Sequence, residues 1–100
     1  MAYAASKAGL IGMTLPFARD LAQFGIRVVT LAPGMFESAM TNFDIMRKQI
    51  KEVPFPKRFG RPEEFARLCV SIVENHYLNG ETIRFDAASR PPYRALRAAL

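Results

Sequence analysis

The sequence predicts an α/β fold with elements in the order helix, strand, helix, helix, strand. Three observations support this prediction: a first segment of helix-forming residues, a strand-like apolar segment directly after it, and a second helix–strand pair near the end. Helices that alternate with buried strands are typical of a parallel sheet with helices packed on its faces. With 100 residues, the chain has room for one small domain at most.

The first segment, residues 2–24, is predicted to be a helix because Ala, Leu, Met and Lys dominate its composition. Its apolar residues fall into two stripes on different sides of the helix. One stripe holds Leu10, Met13, Phe17 and Leu21, and the other holds Ala4, Ala8, Ile11, Leu15, Ala18 and Ala22. A helix that is apolar on two sides is normally buried on both, so we expect a second subunit or further sequence to cover one of them. Gly25 is placed to end this helix with a left-handed cap.

The second predicted element is a parallel strand over Ile26 to Ala32, which Pro33 and Gly34 end. Its residues are almost continuously apolar and rich in β-branched side chains, as in a strand buried on both faces. Such a strand at the edge of a sheet exposes backbone groups that pair readily with another strand. We therefore expect this strand to be part of a larger sheet.

The remaining elements are two helices, a loop and a short strand. They are an amphipathic helix over Ser38 to Lys51, a Pro- and Gly-punctuated loop over Val53 to Arg61, a helix from Pro62 to about Asn75, and a strand over Glu81 to Asp86 after an Asn79-Gly80 turn. Pro62 suits the first turn of a helix, and the acids at 63 and 64 face the positive end of its dipole.

The composition excludes several classes of protein. Half of the residues are hydrophobic and 23% are charged, as in a globular domain. No apolar run approaches the ~18 residues of a membrane span, and no secretory leader is visible. Cys69 is the single cysteine, so it forms no internal disulfide and no metal site alone. These features favour a reducing, intracellular compartment, either the cytoplasm or the mitochondrion.

The basic residues exceed the acidic ones, 14 to 9, which gives a net charge of +5. They are densest at 47–51, at 57–58 and in the tail at 90–97. They are not accompanied by an aromatic-interleaved platform of the kind that binds single-stranded nucleic acid. We therefore favour a solvated face and a basic tail, and nucleic acid is not an expected partner.

Tyr3 and Lys7 are four residues apart on the first predicted helix, so they share one face. A tyrosine of ordinary pKa (~10) is a poor acid or base at neutral pH, and a nearby ammonium stabilises its phenolate. The two residues can thus form a proton donor and acceptor pair. A helix whose polar side chains merely face solvent gives the same spacing, so the spacing alone leaves both interpretations open.

The segment Tyr3-Ala4-Ala5-Ser6-Lys7-Ala8-Gly9 resembles the Tyr-x-x-x-Lys active-site segment of the short-chain dehydrogenase/reductase family. Residues 25–34 resemble the family's next helix cap, strand and Pro-Gly loop, and residues 58–64 and 78–86 resemble its last helix and strand. The resemblance implies that residues 1–90 are the C-terminal part of a Rossmann-like, doubly wound parallel sheet. Residues 91–100 are expected to form a basic tail.

This resemblance implies a role for each of six residues. Tyr3 would be the acid/base that exchanges a proton with the substrate oxygen, and Lys7 would lower its pKa and hydrogen-bond the nicotinamide ribose. Three residues at the strand end would lie along the nicotinamide, namely Pro33, Gly34 and Phe36. Ser38 stands where the family often has a threonine that contacts the cofactor. The implied cofactor is NAD, with NADP as the open alternative.

Residues 35–57 match the position of the family's variable substrate loop. Residues 12–16, 53–56 and 74–75 are most similar to the branch that oxidises 3-hydroxyacyl-CoA with NAD. The loop's apolar side chains either close over an acyl chain or pack on the core; they are Met35, Phe36, Phe43, Met46 and Ile50. By their charge and position, five basic residues are candidates to attract a CoA phosphate, namely Arg47, Lys48, Lys51, Lys57 and Arg58.

Several family features have no counterpart in these 100 residues. The sequence contains no Gly-x-Gly-x-x-Gly loop for the pyrophosphate, so we expect this chain to be inactive by itself. Asp86-Ala87-Ala88 stands where the family has Asp-Gly-Gly or Asp-Gly-Ala, which disfavours a positive φ there.

Two alternatives to the 3-hydroxyacyl-CoA hypothesis stay open. One is a 3-oxoacyl-carrier-protein reductase of the same family. The other is a non-catalytic fragment that docks on full-length subunits through helix 2–24. The family commonly buries this helix between subunits, which implies a homo-oligomer.

Overall fold

The computed structural model describes residues 2–38 and 42–89. In these ranges the elements are α1 (Ala2–Leu21), a 3₁₀ turn (Ala22–Phe24), β1 (Thr30–Pro33), α2 (Phe43–Ile50), α3 (Pro62–Glu74) and β2 (Thr82–Phe85). The predicted order of helices and strands is confirmed. The predicted tail, residues 91–100, lies outside the described residues.

The two strands pair in parallel, with Thr30 opposite Thr82 and Pro33 opposite Phe85. The prediction that the first strand begins at Ile26 is wrong, because it begins four residues later. The backbone of Val28 is bonded to the turn before β2: its N–H donates to Asn79 Oδ1 at 2.9 Å, and its carbonyl accepts from Gly80 N at 2.8 Å. These bonds replace ladder pairing and fix where the sheet starts.

Helix α1 packs on the sheet through small side chains. Thr14 and Ala18 are each only 3% exposed, and the hydroxyl oxygens of Thr14 and Thr30 are 2.5 Å apart. Gly80, which precedes β2, has φ +72°, and a Cβ added there would lie 3.0 Å from Leu15 Cδ1. As predicted, Gly25 ends the helical segment in the left-handed conformation, with φ +71°.

The contacts of α1 also show its direction. Thr14 lies beside Thr30 at the start of β1, whereas Leu15 and Ala18 lie beside Gly80. Gly80 is bonded to Val28, two residues before Thr30. Later positions on α1 therefore meet earlier positions on the sheet, so α1 runs antiparallel to both strands.

Much of the apolar surface of α1 remains uncovered within the described residues. Five of its large side chains are 45–57% exposed, namely Leu10, Ile11, Met13, Leu15 and Phe17. Buried positions of the helix carry a threonine and an alanine instead. Neither of the two predicted apolar stripes is fully covered by the described part of the chain.

The second helix is shorter than predicted. It begins at Phe43 rather than Ser38 because the Asn42 side chain caps it, accepting hydrogen bonds from the N–H groups of Asp44 and Ile45 at 3.0 and 3.3 Å. Residues 39–41 of the predicted helix lie outside the described residues.

Both ends of α3 are held by arginine side chains. At its start, Arg58 forms a two-pronged ion pair with Glu64, with N–O distances of 2.7 and 3.0 Å. At its end, the Arg27 guanidinium donates to four carbonyl oxygens at 2.8–3.1 Å, those of Ile72, Val73, Asn75 and Leu78. A cation at a helix C-terminus also complements the negative end of the helix dipole.

The turn after β2 contains two alanines in the left-handed region, Ala87 with φ +55° and Ala88 with φ +61°. The sequence disfavours this conformation because a Cβ there crowds the backbone. The chain adopts it nonetheless, and the turn is closed by a hydrogen bond from Ser89 N to Asp86 O at 2.9 Å.

Candidate functional site

The carboxyl ends of β1 and β2 meet at one edge of the sheet, where parallel α/β folds place their ligands. Gly34 follows β1 and donates its N–H to Phe85 O at 3.2 Å. A Cβ at Gly34 would lie 2.6 Å from Asp86 Cβ and 2.7 Å from Asp86 Cα. Position 34 therefore accepts only glycine without displacing the backbone that follows β2.

Beyond Gly34, the Phe36 ring belongs to an aromatic cluster. Its centroid is 6.0 Å from that of Phe65 in an edge-to-face arrangement and 5.3 Å from that of Phe85. The Phe65 and Phe85 rings are 5.6 Å apart. The three rings join the segment after β1, helix α3 and strand β2, so Phe36 is held by two other elements.

Two cavities are lined in part by the segment that holds Phe36. The inner cleft, about 160 Å³, is lined by Met35, Phe36, Val53, Pro56, Arg58, Gly60, Glu64, Phe85, Asp86, Ala87 and Ser89. The outer groove, about 380 Å³, is lined by Met35, Phe36, Ser38, Asn42, Ile45, Met46, Gln49 and Phe59. Met35 and Phe36 belong to both linings.

Tyr3 and Lys7 lie in the first two turns of α1. From Thr14 back to Lys7 the helix rises about 10 Å, since each residue adds about 1.5 Å. From Thr30 to Pro33 the strand advances about 10 Å as well, since each residue adds about 3.3 Å. Because α1 runs antiparallel to β1 with Thr14 beside Thr30, its first turns lie on the side of the sheet's carboxyl edge.

The six predicted site residues thus lie in three places: on α1, at the end of β1, and in the segment that follows β1. Pro33 ends β1, Gly34 touches Asp86, and Phe36 and Ser38 line the outer groove. Tyr3 and Lys7 are on α1. Pro33 and Gly34 are in neither cavity lining, although Gly34 lies against Asp86, which lines the inner cleft. The N-terminal turns of α1 lie on the side of the same edge.

Among the basic residues considered for a CoA phosphate, two are engaged within the chain. The Arg58 guanidinium donates to Glu64 and to the Phe59 carbonyl, and Lys57 Nζ donates to Lys51 O at 3.0 Å. The hydrogen bond and charge of Arg58, with a hydrogen bond from Arg61 N, lower the pKa of Glu64 to about 2. The hydrogen bond to Glu64 in turn raises the pKa of Arg58.

Sequence reasoning assigned no site role to three residues that line the inner cleft. Asp86 and Ser89 follow β2, and Gly60 pairs with Phe36 in an isolated parallel bridge. Asp86 lies against Gly34 because the two strands are parallel and end at one edge. The predicted parallel sheet is therefore the clue by which Asp86 could have been found. No local pattern marks Gly60 as the partner of Phe36.

Among the described residues there is no helix long and apolar enough to span a membrane. The same part of the chain contains no group of three or more His, Cys, Asp or Glu side chains arranged to bind a metal ion.

This arrangement of fold and strand-end residues agrees with the sequence comparisons. The sequence profile of the family described as enoyl-(acyl carrier protein) reductase matches residues 1–87. Sequence and fold together place the chain in the short-chain dehydrogenase/reductase family of oxidoreductases. The predicted α/β fold, a fragment of a Rossmann-like sheet, is thereby confirmed.

Individual members of the family give a more specific comparison than the family profile does. The chain is 54% identical over 92 residues to 3-hydroxyacyl-CoA dehydrogenase type-2 of Bos taurus, covering 89% of this chain and 35% of that protein. It is 40% identical over 90 residues to the 3-oxoacyl-[acyl-carrier-protein] reductase of Thermotoga maritima, covering 84% of this chain and 36% of that protein.

A solved structure shows the same likeness. The crystal structure of 3-hydroxyacyl-CoA dehydrogenase type-2 from Mycobacterium avium superposes with a TM-score of 0.85 and 46% identity, over 92% of this chain and 36% of that one. The chain thus spans about a third of the length of the relatives that it matches.

Proposed function

We propose that this chain carries the catalytic Tyr–Lys pair and part of the substrate site of a 3-hydroxyacyl-CoA dehydrogenase. The names of relatives at 54% and 51% identity support the substrate class. The observation that supports the residue roles is the antiparallel run of α1 along β1, since the first turns of α1, with positions 3 and 7, lie on the side of the edge that Gly34 follows.

In this proposal the proton moves through Tyr3. During oxidation the Tyr3 oxygen accepts the proton of the substrate hydroxyl, and during reduction it returns a proton to the carbonyl oxygen. The Lys7 ammonium, one helical turn away, stabilises the phenolate form by its charge and binds the cofactor ribose. Positioned proton transfer of this kind accelerates reactions by roughly 10²–10⁴-fold.

The cofactor in this proposal is NAD, which accepts or supplies the hydride when it is bound. The strand-end residues are assigned to the nicotinamide ring by the family resemblance, and the Phe36 ring, packed 5.3 Å from that of Phe85, supplies an apolar surface near the end of β2. Ser38 lines the adjoining groove and brings a hydroxyl to it. The proposal assigns cofactor positioning to Pro33, Gly34, Phe36 and Ser38.

The outer groove is the proposed site for the acyl part of the substrate. Ile45 and Met46 of α2 supply apolar lining, and Asn42 and Gln49 supply amides at its rim. Arg47 and Lys48 are exposed on the same helix, next to the groove. Since Lys57 and Arg58 are engaged within the chain, Arg47 and Lys48, together with the exposed Lys51, are the better candidates to attract the phosphates of CoA.

A second candidate is a reductase that acts on acyl-carrier-protein thioesters. The 40% identity to the Thermotoga maritima protein favours it. The two candidates share Tyr3 and Lys7 and differ in the carrier of the acyl group. Relative turnover of the same acyl group on CoA and on acyl carrier protein therefore separates them.

A graft tests the proposed residue roles. This chain would replace the matching 92-residue segment of the Bos taurus relative, and NADH oxidation with acetoacetyl-CoA would be followed by absorbance. We expect an active graft in which Tyr3→Phe lowers kcat by at least about 100-fold and Lys7→Met lowers it comparably.

Ser6→Ala is the matched control for this graft, since Ser6 is exposed on the same helix and has no proposed role. Its kcat is expected to stay within about twofold of the unsubstituted graft. An inactive graft, or a Tyr3→Phe graft of full activity, contradicts the proposal.

The proposal also makes one prediction about cofactor binding by the isolated chain and one about the oligomeric state of the whole protein. Because these 100 residues contain no glycine-rich pyrophosphate loop, we expect titration of the purified chain with NADH to show no saturable fluorescence change. The exposed apolar residues of α1 favour a homo-oligomer in the whole protein. A non-catalytic fragment that docks on full-length subunits through α1 would use the same surface.

A further inference from the structure

Gly60 and the Phe36 ring are in unusually close contact. A Cβ at position 60 would lie 2.5, 2.6 and 2.7 Å from Cε2, Cζ and Cδ2 of Phe36. These distances are well inside the van der Waals separation of about 3.5–4.0 Å between carbon atoms. The ring therefore lies directly against the backbone of residue 60, and any side chain there has to displace it.

The backbone around this contact is fixed from both sides. Gly60 N donates to Met35 O at 2.8 Å, and Glu37 N donates to Gly60 O at 2.9 Å. Arg61, the next residue, donates its N–H to Glu64 at 2.9 Å. Because position 60 is bonded to the segment on each side of Phe36 and joined to the start of α3, the backbone has little freedom to yield.

The ring has little freedom to yield either. Phe65 and Phe85 pack against it from α3 and from β2, with centroids 6.0 and 5.3 Å away. The Phe36 ring is thus confined between the Gly60 backbone and two other rings. This confinement keeps it in place as part of the lining of both the inner cleft and the outer groove.

We propose that Gly60 is a positioning residue that sets the place of the Phe36 ring, and that through this ring it determines the binding of the nicotinamide cofactor. The cofactor part rests on the proposed function, in which Phe36 lies along the nicotinamide. Gly60 itself touches neither substrate nor cofactor in this proposal.

The first test measures the place of the ring in the 100-residue chain. With ¹³C-labelled phenylalanine, cross-peaks between the Phe36 ring and the rings of Phe65 and Phe85 are expected in the unsubstituted protein. Gly60→Ala is expected to shift the Phe36 ring signals and to remove these cross-peaks. Gly12→Ala is the matched control, since a Cβ at Gly12 meets nothing within 4 Å among the described residues. Unchanged cross-peaks in Gly60→Ala would overturn the proposal.

A second variant covers the case in which Gly60→Ala is folded but too unstable for the ring measurement, or does not fold at all. In the Phe36→Ala background the ring is gone, so Gly60→Ala is expected to lower the unfolding midpoint by less than half as much as it does with the ring present, or, where the single variant is unfolded, to leave the double variant folded. If the loss is equally large in both backgrounds, the steric conflict lies elsewhere and Gly60 does not act through Phe36.

The third test uses the graft described above and separates the proposal from a loss of fold. Gly60→Ala is expected to raise the KM for NADH about tenfold while the pH profile of kcat stays unchanged, because Tyr3 and Lys7 are untouched. A lower kcat at constant KM, as from a smaller folded fraction, would overturn the cofactor part. An inactive unsubstituted graft would count against the proposed function, and the ring measurement would still decide the role of Gly60.

Discussion

Helices α1 and α3 are attached to the rest of the molecule in contrasting ways. Helix α1 is placed through small side chains, with Thr14 buried beside Thr30 and Ala18 buried beside Gly80. Helix α3 is tied at both ends by arginine, with Arg58 on Glu64 at its start and Arg27 on its last carbonyls. One helix is placed by shape and the other by directional polar bonds.

This contrast matters because α1 carries the proposed catalytic pair. A helix placed by shape is sensitive to any change of side-chain volume at its contact. Its large exposed side chains are buried only if another part of the protein or another subunit packs on them. A helix tied by charged hydrogen bonds depends on particular atoms instead. The two kinds of attachment therefore predict different responses to substitution.

The largest effect is expected at the shape-dependent contact of α1. Ala18→Leu adds three carbon atoms at a position that is 3% exposed and faces Gly80, so it should lower the free energy of unfolding by about 3 kcal/mol. Denaturant unfolding of the chain measures this. Ala8→Leu on the exposed part of the same helix should change it by less than about 0.5 kcal/mol. Equal effects at the two positions would show that α1 is not placed by this contact.

The next effect concerns the polar attachment of α3. Arg27→Met keeps most of the side-chain volume and removes all four hydrogen bonds to the end of α3, so it should cost about 2 kcal/mol. Amide hydrogen exchange should become faster in the last turn of α3. Arg67→Met, on the exposed part of this helix, is the control and should leave both measurements almost unchanged.

A smaller effect of opposite sign is expected in the turn after β2, on which neither attachment depends. Ala87→Gly and Ala88→Gly each remove a Cβ from a residue with positive φ, so each should raise the free energy of unfolding by about 1 kcal/mol. Ala66→Gly inside α3 is the control and should lower it by about the same amount. Destabilisation by either turn substitution would contradict the left-handed assignment.

The smallest effect is the pH dependence of the Arg58–Glu64 pair, which is open to solvent. The pKa of Glu64 is about 2 in the folded chain against 4.5 in the ordinary case. A lowered carboxyl pKa stabilises the fold above the ordinary pKa and loses this contribution as pH falls toward the folded value. The difference in Tm between the chain and Glu64→Gln should thus be constant above about pH 5.5 and shrink between about pH 4.5 and 2. A difference that does not change with pH would show that the charge of Glu64 is unimportant.

Local signals in the sequence were sufficient for the order of elements and for several of their ends. The glycine at 25 predicts a left-handed cap, and the proline at 62 predicts the start of α3; the structure confirms both. These features depend on a few neighbouring residues. The resemblance to the family, confirmed by the comparisons, added the expectation that Tyr3 and Lys7 are catalytic, which stays a prediction.

The features that sequence reasoning missed depend on contacts between distant segments. The first strand starts late because Val28 bonds to Asn79 and Gly80, more than 50 residues away in the chain. The contact of Phe36 with Gly60 likewise follows from how the segment after β1 lies against the start of α3. Short-range patterns contain no signal for either.

The pairing of Thr30 with Thr82 has a consequence for the order of folding. The two strands of the sheet are separated by 52 positions, and α2 and α3 lie between them. Closing so long a loop costs chain entropy before any ladder bond forms, whereas helices gain their bonds locally. The sheet should therefore be the last part to form, and a ribosome must release β2 before β1 has a partner within the described chain.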